Sequence, residues 1–242
     1  METLLPQVAV TPETVAWAIE AWRGGPAGPQ AGVGSSAHSR SEAKAVQPIQ
    51  RSSSERERAV APGRGVWLEV GFGGGEHLAW HAARNPDTLL VGAEPFVNGV
   101  AKLLSAVEEE NLRNVRVRHG DARDLMAAMP DGSVTRAFVL HPDPWPKRKH
   151  WKRRIVSVPF LTEMHRLVAP GGELRVASDI ADYVRWTLVM RDLAERKGAR
   201  WEWTARRMDD WTERPDDWPQ TRYEAKALRE GRVPHYLRFE AV

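Results

Sequence analysis

Cysteine is absent from this chain of 242 residues. Its absence excludes a disulfide framework, a thiolate metal site and a cysteine nucleophile, and it is compatible with a cytoplasmic location. No run of about 18 apolar residues occurs, so we expect no membrane partner. The first ten residues lack a basic stretch followed by an apolar core, so no signal peptide is predicted. The helical histidines His77, His81 and His165 show no ligand grouping, so no metal is predicted either.

Large apolar side chains are missing from a long segment near the amino terminus. Between Gly24 and Gly65 there is no Leu, Phe, Tyr, Met or Trp, whereas Gly, Pro and Ser are frequent. Such a segment cannot bury enough apolar surface to offset its ordering entropy, so we interpret Arg23 to Gly65 as a disordered linker. A short helix is predicted ahead of it, from Thr11 to Trp22. We therefore treat residues 1–65 as an extension that residues 66–242 do not need in order to fold.

Strand and helix patterns alternate from residue 66 to the end of the chain. They predict an α/β fold, in which a doubly wound, mainly parallel, seven-stranded sheet forms one domain over residues 66–242. Ligands of such folds bind at the carboxyl ends of the strands. The predicted strands are Val66–Val70, Thr88–Glu94, Val115–His119, Val134–Leu140, Glu173–Ser178, Trp201–Arg207 and His235–Glu240. The predicted helices are Glu76–Arg84, Val97–Glu110, Asp124–Met129, Val158–Leu167, Ile180–Lys197 and Glu224–Glu230.

An acidic residue lies at or just after the end of five successive predicted strands. These residues are Glu69, Glu94, Asp121, Asp143 and Asp179. Because parallel strands end at the same edge of a sheet, we expect the five carboxylates to line one ligand site. Glu94 is placed to accept from both hydroxyls of a ribose. Asp121 is placed to accept from the exocyclic amine of a purine, or alternatively to cap a helix.

A glycine-rich turn joins the first predicted strand to the helix that follows it. Gly71 and Gly73 allow the backbone to turn tightly and to approach a ligand closely. The turn is not the fingerprint of dinucleotide-binding proteins, because Glu76 stands where that fingerprint needs its third glycine. A carboxylate there also opposes a pyrophosphate at the helix amino terminus. The sequence therefore disfavours a nucleotide-dependent oxidoreductase.

The segment from His141 to Arg154 combines an acid, aromatic rings and dense positive charge. Asp143 lies between two prolines, which restrict the backbone around it. Six Lys or Arg residues and one His follow within residues 147–154. This combination predicts a site that handles a base while gripping a phosphate backbone, although a solvated basic loop is the alternative. The polar neighbours of Trp145 and Trp151 predict that both rings are exposed.

Two segments are specific enough to indicate a family: Pro142-Asp143-Pro144-Trp145 with its basic run, and Thr221-Arg222-Tyr223-Glu224. Together with the glycine-rich turn, Gly92–Pro95, Gly120–Ala122 and Ser178-Asp179, they resemble the bacterial tRNA (guanine-N7-)-methyltransferases. Members of that family usually begin with an Arg-rich arm ahead of a segment resembling Glu2 to Pro6. This sequence starts at that segment, and the two interpretations are that the arm is lost or that the start codon was placed too late.

The resemblance implies a Rossmann-like class I methyltransferase fold, with S-adenosylmethionine as cofactor and tRNA as partner. The implied reaction forms 7-methylguanosine at a guanine of the tRNA variable loop, catalysed by a monomer or weak homodimer. The alternatives are methylation of another RNA or of a small molecule, and a non-catalytic RNA-binding module. By position, the resemblance implies cofactor binding by Glu69, Gly71, Gly73, Glu94, Asp121 and Asp143, with Asp143 also catalytic. It implies substrate binding by Lys147, Asp179, Thr221, Arg222, Tyr223 and Glu224, and RNA contacts by Lys149, His150, Trp151, Lys152, Arg153 and Arg154.

Overall fold

The computed structural model describes residues 8–24 and 65–242, and these form a seven-stranded sheet. The strand order is β3-β2-β1-β4-β5-β7-β6. Strands β1 to β5 run parallel, while β7 is antiparallel to both β5 and β6. The predicted α/β class and mainly parallel sheet are therefore confirmed. The strands are β1 Val66–Val70, β2 Leu89–Glu94, β3 Val115–His119, β4 Val134–Leu140, β5 Val168–Ser178, β6 Trp201–Trp203 and β7 His235–Ala241.

Helices connect the strands and cover both faces of the sheet. Ser157 caps one of them by accepting from the amide of Phe160, as the preference for Ser before a helix leads one to expect. Within the described ranges, no helix is long and apolar enough to cross a membrane. The helices are α1 Val15–Gly24, α2 Glu76–Arg84, α3 Val97–Glu109, α4 Ala122–Ala128, α5 Val158–Leu167, α6 Ala181–Glu195, α7 Asp209–Thr212 and α8 Arg222–Arg229. A 3₁₀ helix at Arg148–Arg153 and helix α7 were not predicted.

Two apolar clusters lie on opposite faces of the sheet. Alternate residues of a strand point to opposite faces, and Leu68 and Trp67 of β1 belong to different clusters accordingly. The cluster of Leu68 includes side chains of α5 and α6, whereas the cluster against Trp67 includes side chains of α2 and α3. Packing on both faces holds the strands in register and leaves their carboxyl ends open.

The amino-terminal helix α1 is part of the first cluster. Val15 and Ile19, spaced by one helical turn, are 0% and 1% exposed and belong to the same cluster as side chains of β1 and of α4, the helix that α1 contacts. Ahead of α1, Ala9 forms a parallel bridge with Val117 of β3, so residues before the helix extend the sheet. The described part of this segment packs into the domain, so we now expect its removal to destabilise the fold.

The end of α1 also differs from the predicted linker boundary. The helix continues to Gly24, and Arg23 donates a hydrogen bond to the carbonyl oxygen of Ser133 at 2.8 Å. Arg23 therefore belongs to the folded domain. The remainder of the predicted linker, residues 25–64, lies outside the described residues.

Ile19→Ala tests whether α1 belongs to the core. Removing a fully buried Ile side chain lowers the free energy of unfolding by about 2–5 kcal/mol, because it leaves a cavity. Denaturant unfolding followed by circular dichroism measures the change. Trp17→Ala is the control, since the ring of Trp17 on the same helix is 71% exposed. If Ile19→Ala costs no more than Trp17→Ala, the helix is not part of the core.

Candidate functional site

A cavity of about 290 Å³ opens at the sheet edge where β1 to β4 end. It is close to the lower end of the range of small-ligand pockets, roughly 300–1,000 Å³. The predicted site residues in its wall are Glu69, Gly71, Gly73, Glu94, Asp121, Asp143, Thr221 and Tyr223. The predicted site residues outside its wall are Lys147, Lys149 to Arg154, Asp179, Arg222 and Glu224.

The carboxylate of Glu94 joins the first two loops of the cavity. It accepts hydrogen bonds from the amide nitrogens of Gly73 at 2.8 Å and Phe96 at 2.9 Å, and it is buried. Gly73 has φ 58°, a left-handed conformation that suits glycine. The loop also lies tightly against α3, since a Cβ atom added to Gly99 would stand 2.0 Å from the carbonyl oxygen of Gly73. The shape of this wall is therefore fixed by close backbone contacts.

A buried chain of hydrogen bonds runs behind the wall from Glu69. Its carboxylate lies 2.9 Å from Nδ1 of His77, whose Nε2 lies 3.1 Å from Nε2 of His81. A carboxylate only accepts, so Nδ1 of His77 carries the proton, and Nε2 of His81 donates to His77. The sequence analysis did not predict this row of hydrogen bonds. The four-residue spacing of the two histidines, on the helix that follows Glu69, could have indicated it.

Asp121 caps helix α4. One carboxylate oxygen, Oδ1, accepts from the amide of Arg123 at 2.9 Å and from its Nε at 3.1 Å. The helix-cap alternative is therefore confirmed. The same residue also lines the cavity, and its Oδ2 atom accepts no hydrogen bond from the described residues.

Asp143 lies in an exposed loop held in an unusual conformation. Its neighbours His141 and Trp145 have φ angles of 47° and 40°, in the left-handed region that side chains rarely adopt. Asp143 lines the cavity, and its carboxylate accepts no hydrogen bond from the part of the chain that the structure describes. The ring of Trp145 is half-buried rather than exposed, with the guanidinium of Arg153 4.8 Å from its centroid.

The basic run divides into an exposed and a buried part. Its cations from Lys147 to Arg153 are exposed on or beside the 3₁₀ helix. Trp151 is half-buried against Trp186, with the ring centroids 5.4 Å apart, and Arg154 is only 3% exposed. The expectations that Trp151 is exposed and that Arg154 contacts RNA are therefore wrong, because both side chains pack against the domain instead.

Asp179 and Glu224 are not in the wall of the cavity, and both have partners within the domain. Asp179 accepts from Nε of Arg232 at 2.5 Å and lies 3.3 Å from Nδ1 of His141. Burial raises the pKa of Asp179, but these hydrogen bonds outweigh it and the pKa lies below its ordinary value. Glu224 is buried and accepts from the hydroxyl of Tyr236 at 2.7 Å. Both carboxylates therefore have partners within the domain, and their binding of a substrate stays a prediction.

The amino-terminal turn of α8 covers the glycine-rich loop. Thr221 caps this helix by accepting from the amide of Glu224, and it lines the cavity. Tyr223 lies directly over Gly73, where an added Cβ atom would be 3.0 Å from the ring. Arg222 is not in the wall itself, but its Nε lies 3.5 Å from the carboxylate of Glu76, which is in the wall. The predicted Thr-Arg-Tyr-Glu segment therefore contributes Thr221 and Tyr223 to the wall.

The charge of the wall restricts what it can bind. Five carboxylates face one guanidinium, that of Arg123, so the cavity favours a cationic ligand and opposes a phosphate. No group of three potential ligands in residues 8–24 and 65–242 is arranged to hold a metal ion. An acidic cavity thus lies next to an exposed basic helix. The five acids are Glu69, Glu76, Glu94, Asp121 and Asp143.

Known proteins resemble this chain over most of its length. Residues 64–237 match the model of a family described as "Putative methyltransferase". The tRNA (guanine-N(7)-)-methyltransferase of Jannaschia sp. (strain CCS1) is 53% identical over 178 residues, which cover 74% of this chain and 73% of that protein. The protein of the same name from Ruegeria pomeroyi is 52% identical over 181 residues, covering 75% and 74%.

Solved structures resemble the chain in fold. The crystal structure of the 16S rRNA methyltransferase KamB aligns with a TM-score of 0.51 and 17% identity, covering 80% of this chain and 95% of that one. A structure of an antibiotic-related methyltransferase also gives a TM-score of 0.51, with 16% identity, over 74% of this chain and 88% of that one. At these identities the likeness shows the fold alone.

His81 makes stability depend on pH. Burial, followed by smaller contributions from nearby positive groups such as Arg136, lowers the pKa of His81 from 6.5 to about 2. The unfolded chain binds a proton as the pH falls below 6.5, whereas the folded chain does not, so stability present above that pH is lost towards acid. We expect His81→Phe to remove this loss. The free energy of unfolding of the wild type should fall more steeply towards acid than that of the variant, by up to about 1.4 kcal/mol per pH unit.

Denaturant unfolding of both proteins between pH 8 and pH 5 measures the difference. His119→Phe is the control, because His119 is an exposed histidine at the end of β3. Parallel curves for wild type and His81→Phe would contradict the assignment.

Proposed function

Because the chain belongs to the tRNA (guanine-N(7)-)-methyltransferase family, we propose that it transfers a methyl group from S-adenosylmethionine to N7 of a guanine in tRNA, forming 7-methylguanosine. The observation that carries the proposal is the acidic cavity beside an exposed basic helix. The acidic cavity suits a cationic cofactor, and the basic helix suits a phosphate backbone. The acceptor is a guanine of the variable loop.

The wall of the cavity fits the cofactor. S-adenosylmethionine carries a sulfonium cation, an ammonium group, a ribose diol and an adenine amine, all of which carboxylates attract or accept from. Oε1 of Glu69 and Oδ2 of Asp121 are free for such donors among the described residues. Each oxygen of Glu94 takes one amide hydrogen and keeps a second lone pair for a ribose hydroxyl. We assign the ammonium to Glu69, the ribose to Glu94 and the adenine amine to Asp121.

The main requirement for catalysis is that the two reactants are held in line. When bound, the cofactor would supply a methyl group on a positively charged sulfur. The lone pair of guanine N7 would form the new bond to that carbon as the carbon–sulfur bond breaks and the neutral thioether leaves. N7 carries no proton at neutral pH, so no general base is needed. Holding the reactants in line is worth roughly 7–11 kcal/mol when the geometry is right. We assign this role to Asp143, whose unpaired carboxylate at the cavity mouth accepts from donors on the guanine or the cofactor.

We assign RNA binding to the 3₁₀ helix. The cations of Lys147 to Arg153 stand at the surface next to the loop of Asp143, where they neutralise phosphates. N7 lies in the deep, narrow major groove of paired RNA, so a splayed loop nucleotide reaches the cavity more readily than a paired one. This access favours the variable loop as the site of methylation.

The remaining properties follow from the substrate and from the cavity. We propose that the protein acts in the cytoplasm, where tRNA is processed. We propose that it acts as a monomer or weak homodimer, as the family resemblance implies. The sulfonium group activates the methyl group without a metal ion, so none is needed.

Transfer of labelled methyl from S-adenosylmethionine to unmodified tRNA tests the proposal. The product nucleoside is identified by mass spectrometry after digestion. We expect 7-methylguanosine from the variable loop. Cofactor binding without any transfer to tRNA, under conditions in which tRNA binds, would overturn the proposed reaction.

Asp143→Ala tests the positional role of this carboxylate. Misplacing a reactant by about 1 Å costs on the order of a hundredfold in rate, so we expect a fall in kcat of that size. The affinity for tRNA should barely change, because Asp143 does not contribute to the positive charge that binds phosphates. Steady-state kinetics and tRNA binding measure the two effects. Asp87→Asn is the control, since this exposed acid precedes β2 at the opposite edge of the sheet. Equal loss of kcat and tRNA affinity would contradict a positional role.

Replacing both Lys152 and Arg153 by Ala tests the basic surface. Each phosphate contact contributes about 0.7–0.9 to the slope of log affinity against log salt, so losing two contacts should lower the slope by about 1.4–1.8. Fluorescence anisotropy with labelled tRNA at several salt concentrations measures it. The matched control replaces Arg196 and Lys197, an exposed pair of the same charge after α6. An unchanged slope in the Lys152 and Arg153 variant would identify the 3₁₀ helix as a solvated surface only.

A further inference from the structure

The side chain of Arg154 points into the domain although it ends a run of exposed cations. It is 3% exposed and surrounded by aromatic rings. The centre of its guanidinium lies 4.9 Å from the ring centroid of Trp186, 5.1 Å from Trp151 and 5.4 Å from Tyr183. Ring faces attract a cation, and this attraction offsets part of the cost of removing the charge from water. Arg154 therefore cannot meet a phosphate without leaving this setting.

The hydrogen bonds of Arg154 go to the loop that carries Asp143. Nε donates to the carbonyl oxygen of Pro144 at 2.8 Å, and Nη2 donates to that of Trp145 at 3.4 Å. Nη2 also donates to the carboxylate of Asp182, in the first turn of α6, at 2.6 Å. One planar group thus ties the two residues after Asp143 to a helix on the body of the domain.

We propose that Arg154 is a positioning residue, which holds Asp143 at the cavity mouth by fixing the carbonyl groups of Pro144 and Trp145. The inference rests on the proposed function, in which Asp143 aligns the reactants. It assigns to Arg154 a task different from that of the adjacent Arg153, whose side chain is exposed and lies over Trp145.

The conformation of the loop explains why such an anchor is needed. His141 and Trp145, on either side of Asp143, both have left-handed φ angles that side chains rarely adopt, so the surrounding structure must enforce them. The carboxylate of Asp143 accepts no hydrogen bond from the described residues and cannot hold itself in place. Arg154 bonds the backbone on the carboxyl-terminal side of Asp143 and leaves its carboxylate free for the reactants.

Arg154→Lys is the first test. Lysine keeps the charge and the apolar stem, but its single nitrogen cannot reproduce the flat fork that meets two carbonyls and a carboxylate. We expect kcat at saturating tRNA and S-adenosylmethionine to fall about tenfold to a hundredfold. The affinity for S-adenosylmethionine, measured by calorimetry, and the salt dependence of tRNA binding should stay at their wild-type values.

Arg153→Met is the matched control for the adjacent exposed cation. It should lower the slope of log tRNA affinity against log salt by about 0.7–0.9, the contribution of one phosphate contact. A similar change of slope in Arg154→Lys would mean that Arg154 binds RNA, and would overturn the proposal. A folded Arg154→Lys protein with wild-type kcat would overturn it as well.

Asp182 offers a second test that leaves Arg154 in place. The Asp182 side chain is about half-exposed, so Asp182→Ala removes the anchor on α6 without opening the core. We expect a smaller fall in kcat with unchanged tRNA binding, and recovery in Asp182→Asn, whose amide oxygen still accepts from Nη2. If Arg154→Lys does not fold, wild-type kcat in Asp182→Ala refutes the proposal. These outcomes differ from failure of the proposed function, in which the wild-type protein itself methylates no tRNA.

Discussion

The buried carboxylate of Glu94 is the interaction on which the rest of the site depends. A carboxylate removed from water must be satisfied by donors, and here the donors are backbone amides of two separate loops, at Gly73 and Phe96. The end of β2 is thereby joined to the loop after β1. The near contact between Gly99 and the Gly73 carbonyl then leaves this loop no room to shift towards α3. A cavity wall built from backbone in this way is formed before a ligand arrives, which limits the ordering cost of binding.

Much of the fold and part of the site could be read from local pattern. Strands such as Val66–Val70 and their helices have distinct apolar periods, and the sheet follows from their alternation. The acids Glu69, Glu94, Asp121 and Asp143 were predictable as a group, because parallel strands bring their carboxyl ends to one edge whatever the details of packing. The position of these acids follows from the strand pattern and the parallel topology alone, so it could be predicted without knowing which distant side chains pack together.

The features that sequence reasoning missed depend on which face of an element meets the rest of the chain. In the sequence, Arg154 is one more cation in a basic run. Only the structure shows that its side chain is buried, because it donates to Asp182 on α6. Asp179 and Glu224 carry charges that usually face solvent, yet each has a partner far along the chain or in an adjoining element. For Ile19, a helical apolar face was visible, but the composition of the following segment suggested that nothing packed against it.

The bridge between Ala9 and Val117 has a consequence for how the protein behaves in concentrated solution. Strand β3 is an outer strand of the sheet, and an uncovered outer strand presents unpaired amide and carbonyl groups to any other chain that can align with it. Residues 9 and 10 occupy that position, with the amide of Val10 donating to the carbonyl oxygen of Val117 at 2.9 Å. A preparation clipped or fused in this stretch would expose the strand to chain-to-chain pairing. Resistance to aggregation therefore depends on residues 9 and 10, which are not part of the cavity wall.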